Sequence, residues 1–353
     1  MPETKVIKID PQNMRDGDFE EAVKLLREDK LVAFPTETVY GLGGNALNPE
    51  ASSKIYAAKG RPSDNPLIVH IADPKELNVL CESVPETAWK LAEEFWPGPL
   101  TMIMNKSAIV PKSTTGGLDT VAVRLPSHPV AKRLIELCGL YIAAPSANAS
   151  GRPSTTRAEH VIEDLDGRID MIIDGGPVDI GLESTIVDLT GEVPLILRPG
   201  FITIEKLRAV IPDIEYDKAV ISHEKNENIV AKAPGMKYRH YAPKGDLTIC
   251  QGDPGKVIET INALAAAREA EGKRTAVLAT SENLDRYKCH IVKSVGSRND
   301  EEGIAAVLFD ILREFDELKV DYIYSESFDE SNLGQAIMNR LLKAAGYNLK
   351  ECL

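Results

Sequence analysis

Apolar runs of strand length alternate with longer stretches whose apolar residues recur at helical spacing, from residue 6 to about residue 211. VIKI (6–9), LVAFP (31–35) and LIVHIA (67–72) are the first strand candidates. Residues 18–30, 49–59 and 85–96 read as helices between and after them. In the first, Asp18 is the expected N-cap and Ala22, Val23, Leu25 and Leu26 face inward. LTMIM, TVAVRL, YIAA, DMIID and STIVDL follow as strands, with VAKRLIEL and TRAEHVIEDL as helices between some of them. A chain patterned this way folds as α/β around a mixed sheet.

The pattern stops at residues 212–245, which show little periodicity, and resumes as β-α-β-β-α-β-α over the remaining residues. The expected organisation is a first domain over 1–211, a linker over 212–245 and a smaller Rossmann-like domain over 246–353. A length of 353 residues accommodates two domains. Within the linker, residues 231–245 hold Lys232, Lys237, Arg239 and Lys244 and no acid, with His240 near Tyr238 and Tyr241.

Charge and cysteine usage narrow the function classes. The formal charge of −13 argues against a general nucleic-acid coat, and an acidic membrane repels such a chain. Five widely spaced cysteines form no CxxC pair, which speaks against a zinc ribbon, a thioredoxin-type site or a disulfide framework and points to a reducing cytoplasm. No apolar run is long enough to span a bilayer. Walker-A, GxGxxG, HExxH and GxSxG patterns are absent. Lacking a glycine fingerprint, the second domain gives no sign of dinucleotide binding.

Four polar islands punctuate the first domain. Pro35–Leu42 (PTETVYGL) places hydroxyls just after a strand, where α/β folds present groups to a ligand. Lys59–Pro66 (KGRPSDNP) sets two cations and an amide in a loop stiffened by prolines, suited to phosphate oxygens. Pro145–Ser154 (PSANASGRPS) is small and polar, and Ser146 and Asn148 share one side if the chain is extended there. The fourth joins Gly181–Thr185 to Arg198-Pro199-Gly200. Residues 101–150 carry five lysines and arginines against two acids, so this part of an acidic chain suits an anionic ligand. Arg124, alternating with Val121 and Val123, is an inward guanidinium candidate that needs a carboxylate or phosphate partner. Glu183 is one candidate.

KGRPSDNPL, taken with the Ser146-x-Asn148 pair, resembles the YrdC-type family of threonylcarbamoyl-AMP synthases over residues 5–211. APGMKYRHYAPKG followed by a Rossmann-like tail is similar to the family's long, two-domain form. The resemblance implies a twisted open mixed sheet with a concave basic cavity. It implies synthesis of L-threonylcarbamoyladenylate from L-threonine, bicarbonate and ATP, with pyrophosphate released. A downstream transferase then passes the threonylcarbamoyl group to tRNAs that read ANN codons.

By resemblance, Thr38, His70, Arg124, Ala144 and Ser184 line the threonine pocket, with Arg124 on the carboxylate and Ala144 acting through its backbone. Lys59, Arg61, Asn65, Thr120, Ser146, Ser154 and Arg198 hold ATP. Lys59 and Arg61 are the catalytic cations, and Asn148 supports Ser146. Tyr241 reaches over the nucleotide, which makes the linker a lid. Magnesium accompanies ATP; no organic cofactor, resident metal or membrane is expected, and any hold on RNA is weak. The rival reading is a double-stranded RNA-binding module without catalysis.

Overall fold

The computed structural model describes residues 3–221, 232–233 and 240–353. These divide into two compact units, one of residues 3–150, 154–221 and 232–233, the other of residues 151–153 and 240–353.

The first unit is built on a twisted mixed sheet. Its strands are β1 (Lys5–Lys8), β2 (Val32–Phe34), β3 (Gly41–Asn45), β4 (Ile68–His70), β5 (Leu100–Asn105), β6 (Thr120–Arg124), β7 (Ile142–Ala143), β8 (Met171–Asp174), β9 (Thr185–Asp188), β10 (Leu195–Arg198) and β11 (Glu215–Tyr216). Their order is β1-β8-β2-β3-β7-β4-β6-β5-β9-β10-β11. β4 and β6 run parallel, as do β5 and β9, while β5 and β6 are antiparallel.

Period-two burial explains the layers. Ala33, Val69, Met102, Val121, Val123, Ala143, Ile172 and Val187 all enter one continuous core. On the opposite face, Val32, Phe34, Ile142, Met171 and Ile173 pack under the helices Glu20–Arg27 and Pro129–Cys138. The remaining part of that second face holds a small cluster of Ile68, Ile103, Ala122, Ile186, Leu197 and Ala233. There the sheet carries its polar side chains.

Several local expectations change. Asp18 does not cap the first helix; it lies in a 3-10 turn, Asp16–Phe19, and accepts from the backbone N–H of Arg15 (2.8 Å), because the helix begins only at Glu20. GLGGN is a strand, against the low strand propensity of glycine. Packing demands it: a Cβ on Gly43 would stand 2.6 Å from the Phe34 ring and 3.0 Å from Ile142. Within 212–245, Glu215–Tyr216 pairs with β10 and Lys218–Ile221 forms a helical turn.

The second unit is a parallel sheet. β12 (Asp246–Gly252), β13 (Thr275–Ala279), β14 (Ile291–Ser294), β15 (Tyr322–Glu326) and β16 (Leu349–Cys352) lie in the order β14-β13-β15-β12-β16. Helices Pro254–Ala270, Glu301–Glu317 and Gly334–Ala344 lie between the strands in sequence. β16 was not expected; it is a half-exposed edge strand with two charged residues, so no apolar alternation announces it. No helix of the described residues is long and apolar enough to cross a membrane.

Candidate active site

Strand register sets one polar row across the first unit's second face. His70 of β4 lies opposite Arg124 of β6, and Arg124 lies opposite Thr101 of β5. Thr101 Oγ1 hydrogen-bonds Ser184 Oγ (2.7 Å), just ahead of β9. Arg198 joins the row through an irregularity in β10. The register with β9 shifts between Ile196 and Arg198, which sets Arg198 opposite Ile186. Its Nη2 then donates to Ser184 Oγ (3.0 Å) and its Nε to Ser184 O (2.9 Å). Gly200 makes room for this turn, since a Cβ there would meet Thr185 N at 2.6 Å and Glu183 O at 2.8 Å.

The Pro35–Leu42 island closes over the row. Arg124 Nη1 donates to Thr38 Oγ1 (2.9 Å), and Nη2 lies 2.7 Å from Glu37 Oε1. Both partners of that ion pair are buried. The backbone N–H groups of Glu37 and Ser127 also face the Glu37 carboxylate, whereas Arg124 Nε, buried beside them, has no hydrogen-bond partner. Charge is balanced while Nε and the second N–H of Nη2 remain for a further acceptor. Burial pushes the Glu37 carboxyl up, but the Arg124 guanidinium outweighs it and holds the group below the usual carboxylate range.

His70 is buried, and burial together with Arg124 pushes its imidazole down to about 3. It is therefore neutral at physiological pH. Its Nδ1 faces Ile68 O (3.2 Å), which can only accept, so the proton sits on Nδ1 and Nε2 is the acceptor. Ala144 spends its backbone N–H on Ile68 O (2.9 Å), leaving its carbonyl to offer a ligand. Burying a neutral histidine has a measurable cost on acidification. The unfolded chain takes up this proton near pH 6.5, the folded chain only near 3. Stability is expected to fall as pH drops between those values, by up to about 1.4 kcal/mol per pH unit. Denaturant melts from pH 6.5 to 5 should show this slope, and His70→Gln should flatten it.

The other two islands form a second network. The helix Pro49–Lys59 ends at Gly60 in the left-handed region (φ 62°), and Lys59 turns inward from its last turn. Its ammonium donates to the carbonyls of Ser146 and Asn148. The Ser150 backbone N–H donates back to Lys59 O (2.8 Å). Ser146 Oγ donates to Asn148 Oδ1 (2.6 Å), so Asn148 does support Ser146. Arg61 Nη2 donates to Asn65 Oδ1 (2.6 Å) and Pro66 O (3.0 Å). Ser154 donates to Glu183 Oε1. Backbone bonds from Leu42 N to Pro145 O and from Ala147 N to Tyr40 O (both 2.8 Å) fasten this loop to the Thr38 island.

Thr120 opens β6, half-buried and four residues before Arg124, on the same face of the strand. Lys59, Arg61, Arg124 and Arg198 are thus four buried cations accompanied by two buried carboxylates, Glu37 and Glu183. Among the described residues no group of three or more His, Cys, Asp or Glu is placed to hold a metal ion. In the second unit, the Tyr241 ring stacks on Phe309 (5.2 Å between centroids), with the Arg340 guanidinium 5.7 Å from it. Of the stretch read as a lid, residues 222–231 and 234–239 lie outside the described residues.

Comparison with known proteins places this arrangement. A family model described as telomere recombination matches residues 24–200, and one described as the C-terminal domain of threonylcarbamoyl-AMP synthase matches 202–346. A protein of Bacillus subtilis (strain 168) named threonylcarbamoyl-AMP synthase is 52% identical over 96% of this chain and 95% of its own. The chain belongs to the threonylcarbamoyl-AMP synthase family.

A second family member, from Pyrococcus abyssi, is 50% identical over 93% of this chain and 94% of its own. The crystal structure of P. abyssi Sua5 complexed with L-threonine matches with a TM-score of 0.92 at 48% identity, covering 99% of both chains. Within this threonylcarbamoyl-AMP synthase fold, sequence reasoning passed over Thr101 and offered Glu183 as the partner of Arg124, where the structure has Glu37; Glu183 accepts from Ser154 instead. Thr101 had a signal, being a hydroxyl inside the apolar run LTMIM. Glu37 had none, because its pairing depends on a strand 86 residues away from Thr38.

Proposed function

We propose that the chain makes L-threonylcarbamoyladenylate from L-threonine, bicarbonate and ATP, releasing pyrophosphate. The observation that carries this reading is the buried Arg124, whose partnerless Nε and second Nη2 N–H form a bidentate edge beside the acceptors Thr38 and Glu37. A carboxylate fits that edge with two parallel bonds, and an amino group fits the acceptors. The fold match to an L-threonine complex supports the same assignment.

Roles follow from donor and acceptor capacity. Arg124 takes the threonine carboxylate, while Thr38, His70 Nε2 and the Ala144 carbonyl accept from its amino and hydroxyl groups. Ser184 closes the pocket beside Thr101. ATP lies along Lys59, Arg61, Asn65, Thr120, Ser146, Ser154 and Arg198, with Tyr241 assigned to it by family likeness. Asn65 orients Arg61 through its side-chain oxygen and keeps its NH2 for the ligand.

The chemistry needs positioning more than a nucleophile. The neutral amine adds to carbon dioxide or activated bicarbonate, and a carbamate oxygen then attacks the α-phosphorus as pyrophosphate leaves. A buried pocket keeps the labile carbamate from water. Buried cations stabilise charge developing on the phosphates. Magnesium enters with ATP as part of the substrate, and the reaction calls for no organic cofactor. Residues 1–211 form the catalytic body, with a basic cavity on its second face, and 246–353 a Rossmann-like companion joined through 212–245. The product is a mixed anhydride, so a transferase of the tRNA-modification pathway must consume it. All five cysteines are free thiols, in keeping with a cytoplasmic enzyme.

Pyrophosphate release should require ATP, bicarbonate and L-threonine together. Loss of L-threonine should abolish it, and glycine should not replace it. Release independent of threonine would overturn the reading. Salt-sensitive RNA binding without turnover would favour the rival module.

A further inference from the structure

We propose that Thr36 and Glu37 are positioning residues that fix the polarity of the amino-acid pocket, so that it accepts a zwitterion in one orientation; this rests on the reading of the site as the L-threonine pocket. Hydrogen bookkeeping carries the Thr36 part. Thr36 Oγ1 lies 2.6 Å from Val39 O, which can only accept, so the single hydroxyl hydrogen of Thr36 goes there. The 2.9 Å contact between Thr36 Oγ1 and Thr38 Oγ1 must then be donated by Thr38. The longer contacts from the backbone N–H groups of Thr38 (3.2 Å) and Val39 (3.3 Å) share the remaining lone pair of Thr36 Oγ1. Arg124 Nη1 fills one lone pair of Thr38. What Thr38 keeps for a ligand is one acceptor lone pair and no hydrogen. It receives a bond from an ammonium or hydroxyl and repels a carboxylate.

Glu37 completes the pattern. Its Oε1 lies 2.7 Å from Arg124 Nη2, which balances the charge and engages one Nη2 N–H, while Nε and the second Nη2 N–H stay unspent. The buried Glu37 carboxylate is faced by Arg124 and by the backbone N–H groups of Glu37 and Ser127, and its two oxygens have lone pairs to spare for a further donor. Donors on Arg124 thus lie beside acceptors on Glu37 and Thr38. A carboxylic acid lacking the amine satisfies half of this set, as does an amine lacking the acid. An α-amino acid satisfies both.

The test is calorimetric titration of the full chain with L-threonine and with (R)-3-hydroxybutyrate, the same skeleton without the amine. Glu37→Gln should weaken L-threonine about 10- to 100-fold, as expected for a buried charge partner, and leave 3-hydroxybutyrate unchanged or tighter. A merely structural Glu37 would weaken both alike. Thr36→Val frees the Thr38 hydrogen and should weaken L-threonine about tenfold; Thr36→Ser should restore it. L-Threonine binding unchanged in Glu37→Gln, or Thr36→Ser behaving as Thr36→Val, overturns the proposal. If Glu37→Gln fails to fold, the Thr36 pair decides alone, since it leaves the ion pair intact. Failure of the unaltered chain to bind L-threonine would instead overturn the reading of the site.

Discussion

Arg124→Ala is expected to raise the dissociation constant for L-threonine about 10²–10³-fold while ATP affinity changes little. The guanidinium offers the pocket's bidentate donor edge, and truncating one side of a buried charged contact costs about 2–5 kcal/mol. A second effect accompanies the first. Glu37 is left buried without its cation, which costs about 3–5 kcal/mol of folding stability. The stranded carboxyl loses the influence that held it below the usual range, so it is protonated at a higher pH than in the unaltered chain. Two companions separate binding from folding. Arg124→Lys keeps a charge beside Glu37 but lacks the planar fork, so it should retain most stability and still lose threonine affinity. Arg124→Met with Glu37→Leu removes both charges and should recover stability without recovering binding. Calorimetry with each ligand and a denaturant melt of each variant check these outcomes. ATP affinity lost with threonine affinity intact would reverse the assignment of Arg124.

Lys59→Met should lower kcat/KM for ATP about 10²–10³-fold, the magnitude typical of removing one charge-stabilising donor from a buried site. It should leave L-threonine binding nearly unchanged. The ammonium also ties the Ser146 and Asn148 carbonyls together, and charge-assisted bonds of this kind contribute about 1.5–3 kcal/mol each. A lowered melting temperature should accompany the loss of turnover. Lys59→Arg is not expected to rescue either property. Three donors on a compact ammonium converge on two nearby carbonyls, whereas a planar guanidinium does not fit between them. Steady-state pyrophosphate release with varied ATP, beside a thermal melt, measures both effects. Full activity in Lys59→Met would remove Lys59 from the machinery.

The alternating architecture was legible because strands buried on both faces read as short apolar runs and helices as periodic ones. LIVHIA and TVAVRL became β4 and β6, and the loops after or before strands held the polar groups. Where the sequence misled, side-chain identity and backbone state disagreed. GLGGN has no strand pattern, yet Gly43 is needed because Phe34 and Ile142 crowd a strand there. Arg198 sits at an irregularity that only pairing with β9 reveals. The charged edge strand β16 has no pattern at all. Residue types in the site were readable, since lysine, arginine and hydroxyls in stiff loops suit phosphate. Direction was not: which hydroxyl donates, and that Glu37 neutralises Arg124 without consuming its fork, follow only from distances. The lysine read as a phosphate ligand turns out to be held also by backbone carbonyls, which no spacing in the sequence announces.

The partners that make up the site lie far apart along the chain. Arg124 reaches back 86 residues to Thr38, Lys59 forward 89 to Asn148 and Thr101 forward 83 to Ser184. Closing such loops costs entropy before any contact rewards it, and pairing of this range slows folding. During synthesis, helices such as Pro49–Lys59 have all their residues early, but Arg198 is the last of the first-unit groups to emerge. The binding surface is therefore a late product of folding, and ligand affinity reports completion of the whole sheet, since no single segment carries it.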